Sequence, residues 1–258
     1  MITLKSPREI ESMARAGSIV AGTLALMHEV VRPGLTTEDL DRMAEEFIRS
    51  HEGAVPSFKG LYGFPKTLCV SVDDEIVHGI PSPRRVLAEG SVVSVDVGVQ
   101  IDGLHADAAT TVPVGAISAE AERLLDVTKR SLAAGVAQAT LGNHIGDIGH
   151  AVQTVAEAAG FGVVRELVGH GIGTRFHEDP QVPNYGAPKR GPRLLEGMTL
   201  AIEPMITAGK PLTRTLKDKW TVVTQDGSLA AHFEHTVAVT RDGPRILTAV
   251  AVASASGR

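Results

Sequence analysis

At 258 residues, 43% of them hydrophobic, and with a mean hydropathy of +0.08, the chain can bury a substantial core, which excludes a bulk-disordered protein. A formal net charge of -5 gives no basic stripe for neutralising phosphates and excludes a dedicated nucleic-acid binder. The single cysteine, Cys69, cannot form an internal disulfide, the N-terminal MITLKSPREIESMARAG is charged where a signal peptide is apolar, and no run approaches the roughly 18 apolar residues of a membrane span, so a cytoplasmic location is expected.

Ser6-Pro7-Arg8-Glu9 supplies a capping side chain, a proline at the first helical position and a reciprocating glutamate, which predicts a helix running to about Val31. Arg32-Pro33-Gly34 ends it. Thr36 or Thr37 then caps a second helix to about Ser50, with Leu40, Met43, Ala44 and Phe47 on its apolar side and Gly53 as a stop. Residues 55–83, rich in Gly, Pro and aromatics, read as loop with one strand at 67–72. Two strands follow at 92–101 and 104–112, joined by Asp102-Gly103, a two-residue hairpin turn. Helical patterns return at 118–139 and 143–159, the second closed by Gly160, and further strands are expected at 163–168, 198–207, 220–224 and 229–240. The class is α+β, a single domain whose halves, about 1–117 and 118–258, each supply two helices and several antiparallel-type strands. The final Ala253–Arg258 reads as a loose tail.

The Asp102-Gly103 turn fixes a register. If residue 101 faces 104, Gly98 lies opposite Asp107 and Ala109 opposite Asp96, so the two aspartates become diagonal neighbours on one face, about 7 to 8 Å apart at Cα. Gly98 would leave the space between them open for ions. The other face carries Val93, Val95, Val97 and Val99 and belongs to the core. Two carboxylates about 4 Å apart repel by roughly 4 kcal/mol at an effective dielectric of 20, so a half-buried pair needs a proton or a cation. Taken alone, the hairpin is equally consistent with two solvated aspartates on a polar sheet face.

Glu203 in Leu200-Ala201-Ile202-Glu203-Pro204 and Glu234 in His232-Phe233-Glu234-His235 each interrupt apolar strand patterns with an acid, and acids are seldom buried unpaired. His170, between Gly169 and Gly171, can offer a neutral imidazole, although a lone histidine is more often an ordinary hydrogen-bonded residue. Four carboxylates and one imidazole suit two Mn, Fe, Co or Zn ions, and such paired sites lower the pKa of a bound water from 15.7 to about 7. His177-Glu178 does not open an H-E-x-x-H motif, because position 181 is Gln.

Val77-His78-Gly79-Ile80-Pro81, Val95-Asp96-Val97-Gly98, His105-Ala106-Asp107, Gly169-His170-Gly171-Ile172-Gly173, Phe176-His177-Glu178, Ile202-Glu203-Pro204 and Phe233-Glu234-His235-Thr236 together resemble the type I methionine aminopeptidases, from the first helix to about Thr240. The resemblance implies the pita-bread fold and metal-dependent removal of the initiator methionine from nascent chains, with a small second residue preferred. It implies that Asp107 and Glu234 bridge two metals, that Asp96 chelates one, and that His170 and Glu203 bind the other. Glu203 would also pass a proton to the leaving amine, while His78 and His177 would contact the scissile amide and its oxyanion. Tyr62, Phe64, Cys69, Phe176 and Trp220 would line the methionine side-chain pocket, and plain core packing is the alternative for each. Leu61 departs from the tyrosine frequent in bacterial relatives.

Glu203 follows His170 by 33 positions (203 − 170), too few for the helical insertion of type II enzymes. The chain is expected to lack the N-terminal extensions of some relatives, leaving a transient ribosome contact at most and a monomeric state. Three rivals stand beside this reading. Prolidases and proline-specific aminopeptidases share the ligands but carry a large N-terminal domain. A pita-bread binding module without catalysis would have lost ligands that all stand here. Cys69 as a nucleophile would leave the acids unexplained.

Overall fold

Helix α1, Pro7–Val30, starts as the sequence predicts: the Glu9 carboxylate accepts from the Ser6 amide at 2.7 Å and the Ser6 hydroxyl accepts from the Glu9 amide at 3.4 Å. Thr36 and Asp39 cap helix α2, Thr37–Arg49, in the same reciprocal way. The structure is a computed structural model that describes residues 1–249; the expected tail at 253–258 lies outside the described residues.

The hairpin pairs Val92–Ile101 with Leu104–Pro113, and its register joins Gly98 to Asp107 and Asp96 to Ala109, as the turn residues demand. Asp102 and Gly103 have φ of 52° and 76°, the two positive values a type I′ turn needs. Val55–Pro56 and Cys69–Val72 pair antiparallel with the first hairpin strand. Val93, Val95, Val97 and Val99 are fully buried in a core that they share with Val20 and Met27 of α1 and Leu40 and Ile48 of α2. Each such side chain contributes roughly 1.5 to 3 kcal/mol of burial free energy, so the hairpin's apolar face anchors it and frees the other face for chemistry. The strand expected from Thr67 begins only at Cys69, because the amides of Thr67 and Leu68 donate to the Asp41 carboxylate, at 2.9 and 2.8 Å, instead of to a sheet.

Helices α3, Ala119–Ala137, and α4, Ile145–Ala158, pack so closely that a Cβ on Gly135 would meet Val152 at 2.7 Å. Together they cover a second core, which includes Leu124, Ile148, Leu200, Ile202 and Val237. A five-stranded antiparallel sheet runs in the order Gly243–Ile246, His235–Thr240, Thr199–Ile202, Gly169–Gly171, Glu178–Val182. A three-stranded sheet orders Ala230–His232, Met205–Thr207, Gly162–Val163, and another orders Thr213–Thr215, Val222–Thr224, Glu75–Val77.

Several predicted strands are shorter or divided. The strand expected at 198–207 is two, Thr199–Ile202 and Met205–Thr207, in different sheets, with Glu203-Pro204 at the break, where proline has no N–H for a ladder. The strand expected at 229–240 likewise splits at Phe233-Glu234, whose amides bond outside both sheets, to Pro204 O at 3.3 Å and Ala109 O at 3.0 Å. The strand at 163–168 shrinks to Gly162–Val163, and 220–224 begins at Val222 because the Asp218 side chain takes the amides of Trp220 and Thr221. Glu75–Val77, Glu178–Val182, Thr213–Thr215 and Gly243–Ile246 lack the apolar alternation that would announce them.

Strand Leu104–Pro113 meets strands Ala230–His232 and His235–Thr240 along a seam. The Thr236 hydroxyl accepts from the Asp107 amide at 2.9 Å and donates to Asp107 O at 2.8 Å. Reciprocally, the Thr111 hydroxyl donates to His232 O and accepts from the His232 amide, both at 2.9 Å. Thr236→Val leaves a buried N–H and a buried C=O unpaired, so a loss of about 2 to 3 kcal/mol of unfolding free energy is expected in denaturant titration.

Candidate metal centre

Five of the predicted side chains converge at this seam. Asp96 and Asp107 come from the hairpin, Glu203 and Glu234 from the two strand breaks, and His170 from the middle of Gly169–Gly171. Asp96, Asp107, His170 and Glu234 are all buried, and ligand atoms of Asp107, His170 and Glu234 lie within 4.8 Å of one another. The breaks explain the convergence: a glutamate inside a continuous strand would be held to the sheet face, whereas at a corner between sheets it can turn towards the seam.

Burial first, and then the neighbouring acids, push the carboxyls of Asp107, Glu203 and Glu234 well above the usual range, and burial raises Asp96 to about 7. Asp96 Oδ1, Asp107 Oδ1 and Glu234 Oε1 are buried and find no hydrogen-bond donor among the described residues. Acceptors collected without donors ask for cations, and an oxygen-rich set with imidazole suits divalent ions. His170 fits as a ligand: its Nδ1 lies 2.8 Å from Gly171 O, which can only accept, so Nδ1 carries the proton and Nε2 is free, 3.7 Å from Glu203 Oε1. Burial also lowers its pKa to about 3, which keeps the ring neutral.

A cavity of about 150 Å³ opens beside these groups. It is lined by every residue predicted for the site, including His78, His177, Tyr62, Phe64, Cys69, Phe176 and Trp220, and by two residues outside that set, Phe58 and Leu61. Phe64 packs edge-on to Trp220 with centroids 5.1 Å apart, and Phe58 does the same to Phe176 at 5.3 Å. Burial and the adjacent Asp96 push the Cys69 thiol well up, so it is a wall group and not a thiolate nucleophile. Tyr62 is 71% exposed and stacks on His177 at the mouth, with its hydroxyl 3.3 Å from His177 Nδ1. A larger groove of about 850 Å³, lined among others by Leu24, Lys129 and Val136, holds no such group of acids.

One reading needs correction, and one residue was missed. Gly98 does not make room for ions: a Cβ there would meet Phe176 at 2.7 Å, Ser57 at 2.9 Å and Phe58 at 3.1 Å, so the glycine admits the aromatic wall. His232, unassigned from sequence, is buried beside the acids, its Nε2 3.7 Å from Glu203 and 4.0 Å from Glu234. Its position two residues before Glu234 was the available signal. The loop bearing Phe176 and His177 is held by Glu178, which pairs with buried Lys5 and accepts from the Arg175 amide at 3.1 Å.

His78 has φ of 60° and follows strand Glu75–Val77; burial, then the nearby His177, lowers its pKa to about 4. His177 is lowered by partial desolvation. Both rings are therefore neutral near pH 7.

The raised carboxyls have a consequence for stability. They titrate higher in the folded chain than in the unfolded one, near 4, so folding takes up protons and their contribution falls as pH rises from about 4 past the value of about 7 for Asp96. Cations that bind the ionised carboxylates reverse that loss. The Tm gained on adding Mn or Zn to chelator-treated protein is expected to grow between about pH 5.5 and 7.5, followed by scanning fluorimetry. A gain that does not change with pH would remove these carboxyls from cation binding.

Comparison with known proteins identifies the family of the chain. The model of metallopeptidase family M24 matches residues 11–241. The methionine aminopeptidase of Clostridium acetobutylicum is 54% identical over 248 residues, 96% of this chain and 99% of that protein. Methionine aminopeptidase 1 of Bacillus subtilis is 52% identical over 250 residues, 97% of this chain and all of its own, 100%. The crystal structure of methionine aminopeptidase from Thermotoga maritima superposes with a TM-score of 0.95 at 44% identity, covering 96% of this chain and 100% of that one. Prolidase from Pyrococcus furiosus shares the fold alone, with a TM-score of 0.76 at 20% identity, and this chain covers 65% of it. The fold is the pita-bread fold, and the chain belongs to metallopeptidase family M24.

Proposed function

We propose that this protein is a methionine aminopeptidase that removes the initiator methionine from nascent proteins and peptides, as a single catalytic domain of two halves. The observation that carries the reading is three buried carboxyls, the largely buried Glu203 and a neutral His170 lining one pocket of about 150 Å³ together with aromatic side chains, the scale of one side chain. Asp107 and Glu234 would hold both of two divalent cations, Asp96 one of them, and His170 and Glu203 the other. When bound, the cations supply Lewis-acid polarisation and an activated water at neutral pH. Mn, Fe, Co and Zn all suit the donors.

The protein's own groups do the rest. Phe64, Phe176, Trp220 and Cys69 take the methionine side chain, since aromatic faces and a protonated thiol suit a polarizable thioether. Tyr62 and His177 crowd the mouth, which favours a small second residue. His78 and His177, neutral, donate hydrogen bonds to the scissile amide and to the oxyanion that develops from it. Glu203, ionised once the cations are held, would accept a proton from the attacking water and pass it to the leaving amine. Action on nascent chains supports a cytoplasmic location and a transient contact with the ribosome, and a monomeric state rests on analogy with the family.

Release of methionine from Met-Ala-Ser by chelator-treated protein is expected only after Mn or Co is returned. Cleavage of Xaa-Pro peptides in preference to Met-Ala-Ser would favour a prolidase, and a folded protein inactive with every metal would favour a binding module. Asp107→Ala and Glu234→Ala are each expected to abolish activity through cation loss, with equilibrium dialysis as the check. His78→Ala should keep the wild-type cation count while kcat falls about 100-fold or more.

A further inference from the structure

His232 ends strand Ala230–His232, and both of its backbone polar groups are used, since its N–H and C=O bond to the Thr111 hydroxyl at 2.9 Å each. The ring therefore enters the centre from a fixed point on the seam. The residue is 1% exposed, and neither Nδ1 nor Nε2 has a hydrogen-bond partner among the described residues. A buried imidazole without partners is costly and is kept only where something else satisfies it.

The distances say what that partner is. Nε2 lies 3.7 Å from Glu203 Oε2 and 4.0 Å from Glu234 Oε2, beyond the range of about 2.7 to 3.2 Å for a hydrogen bond. Two donors each about 2.0 to 2.2 Å from a common ion are about 3 to 4.3 Å apart, depending on the angle between them. The ring of His170 provides a yardstick, because its Nε2 stands at the same 3.7 Å from Glu203, by way of Oε1. Glu203 is thus approached by one imidazole at each carboxylate oxygen.

We infer that His232 is a second imidazole donor to the cation held by Glu203, making six protein donor residues where the sequence pattern supplies five. This rests on the metal-centre reading above. An added imidazole shifts the preference of an oxygen-rich site towards Zn, Co and Fe and away from Mn. His232 thereby sets which metal the centre takes.

The test uses the full-length wild type, His232→Ala and His232→Gln, with Zn, Mn and Co binding measured by titration calorimetry and folding checked by circular dichroism. The Co-loaded wild type should show hyperfine-shifted ring protons from two ligating histidines in NMR, and one set should vanish in either variant. One Zn equivalent should weaken at least about 10-fold, with Mn affected less. The Gln variant preserves side-chain bulk and carries the test if Ala does not fold. Two bound cations with a single shifted imidazole in the wild type would overturn the proposal while leaving the metal centre standing. A folded wild type that binds no cation would overturn both.

Discussion

Four carboxyl groups gathered at one seam, three of them buried, cannot all ionise in the absence of positive charge. At an effective dielectric of 20, two carboxylates about 4 Å apart repel by roughly 4 kcal/mol. The protein can hold this arrangement because its stability comes from elsewhere. Two apolar cores, one under α1 and α2 and one under α3 and α4, flank the seam, and threonine hydroxyls tie the strands together there. The acids are carried by a fold that does not need their mutual interaction, and cations convert repulsion into binding.

The first half of the site was legible in the sequence because its geometry is local. Asp102-Gly103 admits the backbone of one turn type, that turn sets one register, and the register puts Asp96 and Asp107 on the face opposite four valines. Ser6 and Glu9 announced α1 for the same reason, since a capping box closes within four residues. The second half was legible as residues but not as structure. Glu203 and Glu234 read as acids inside long strands, whereas each sits where the chain leaves one sheet for another, and that choice depends on the partner half of the molecule. His232 and the true use of Gly98 were hidden for the same cause: what each meets lies far away in the chain.

Acidic and aromatic groups share the cavity. The acids and His170 line it together with Phe58, Phe64, Phe176 and Trp220, and Phe176 lies against the His170 ring with centroids 5.5 Å apart. His78 and His177 are kept neutral by desolvation, so they can donate hydrogen bonds without adding charge to a centre whose electrostatics belong to the cations. The buried Lys5 and Glu178 pair fixes the loop that brings Phe176 and His177 into place, which links the segment before α1 to the wall of a pocket formed by later parts of the chain.

The centre is assembled across a hydrogen-bonded seam. Opening the halves would break the four hydrogen bonds of Thr111 and Thr236 and expose the acids together. Selection must therefore operate as a gauge does, by admitting what fits a rigid cavity, and not by closing a jaw around whatever arrives. Such a device tolerates any length of chain trailing from its mouth, because the body of the substrate never enters it. It inspects one residue and the start of the next, and is indifferent to the rest of the protein attached.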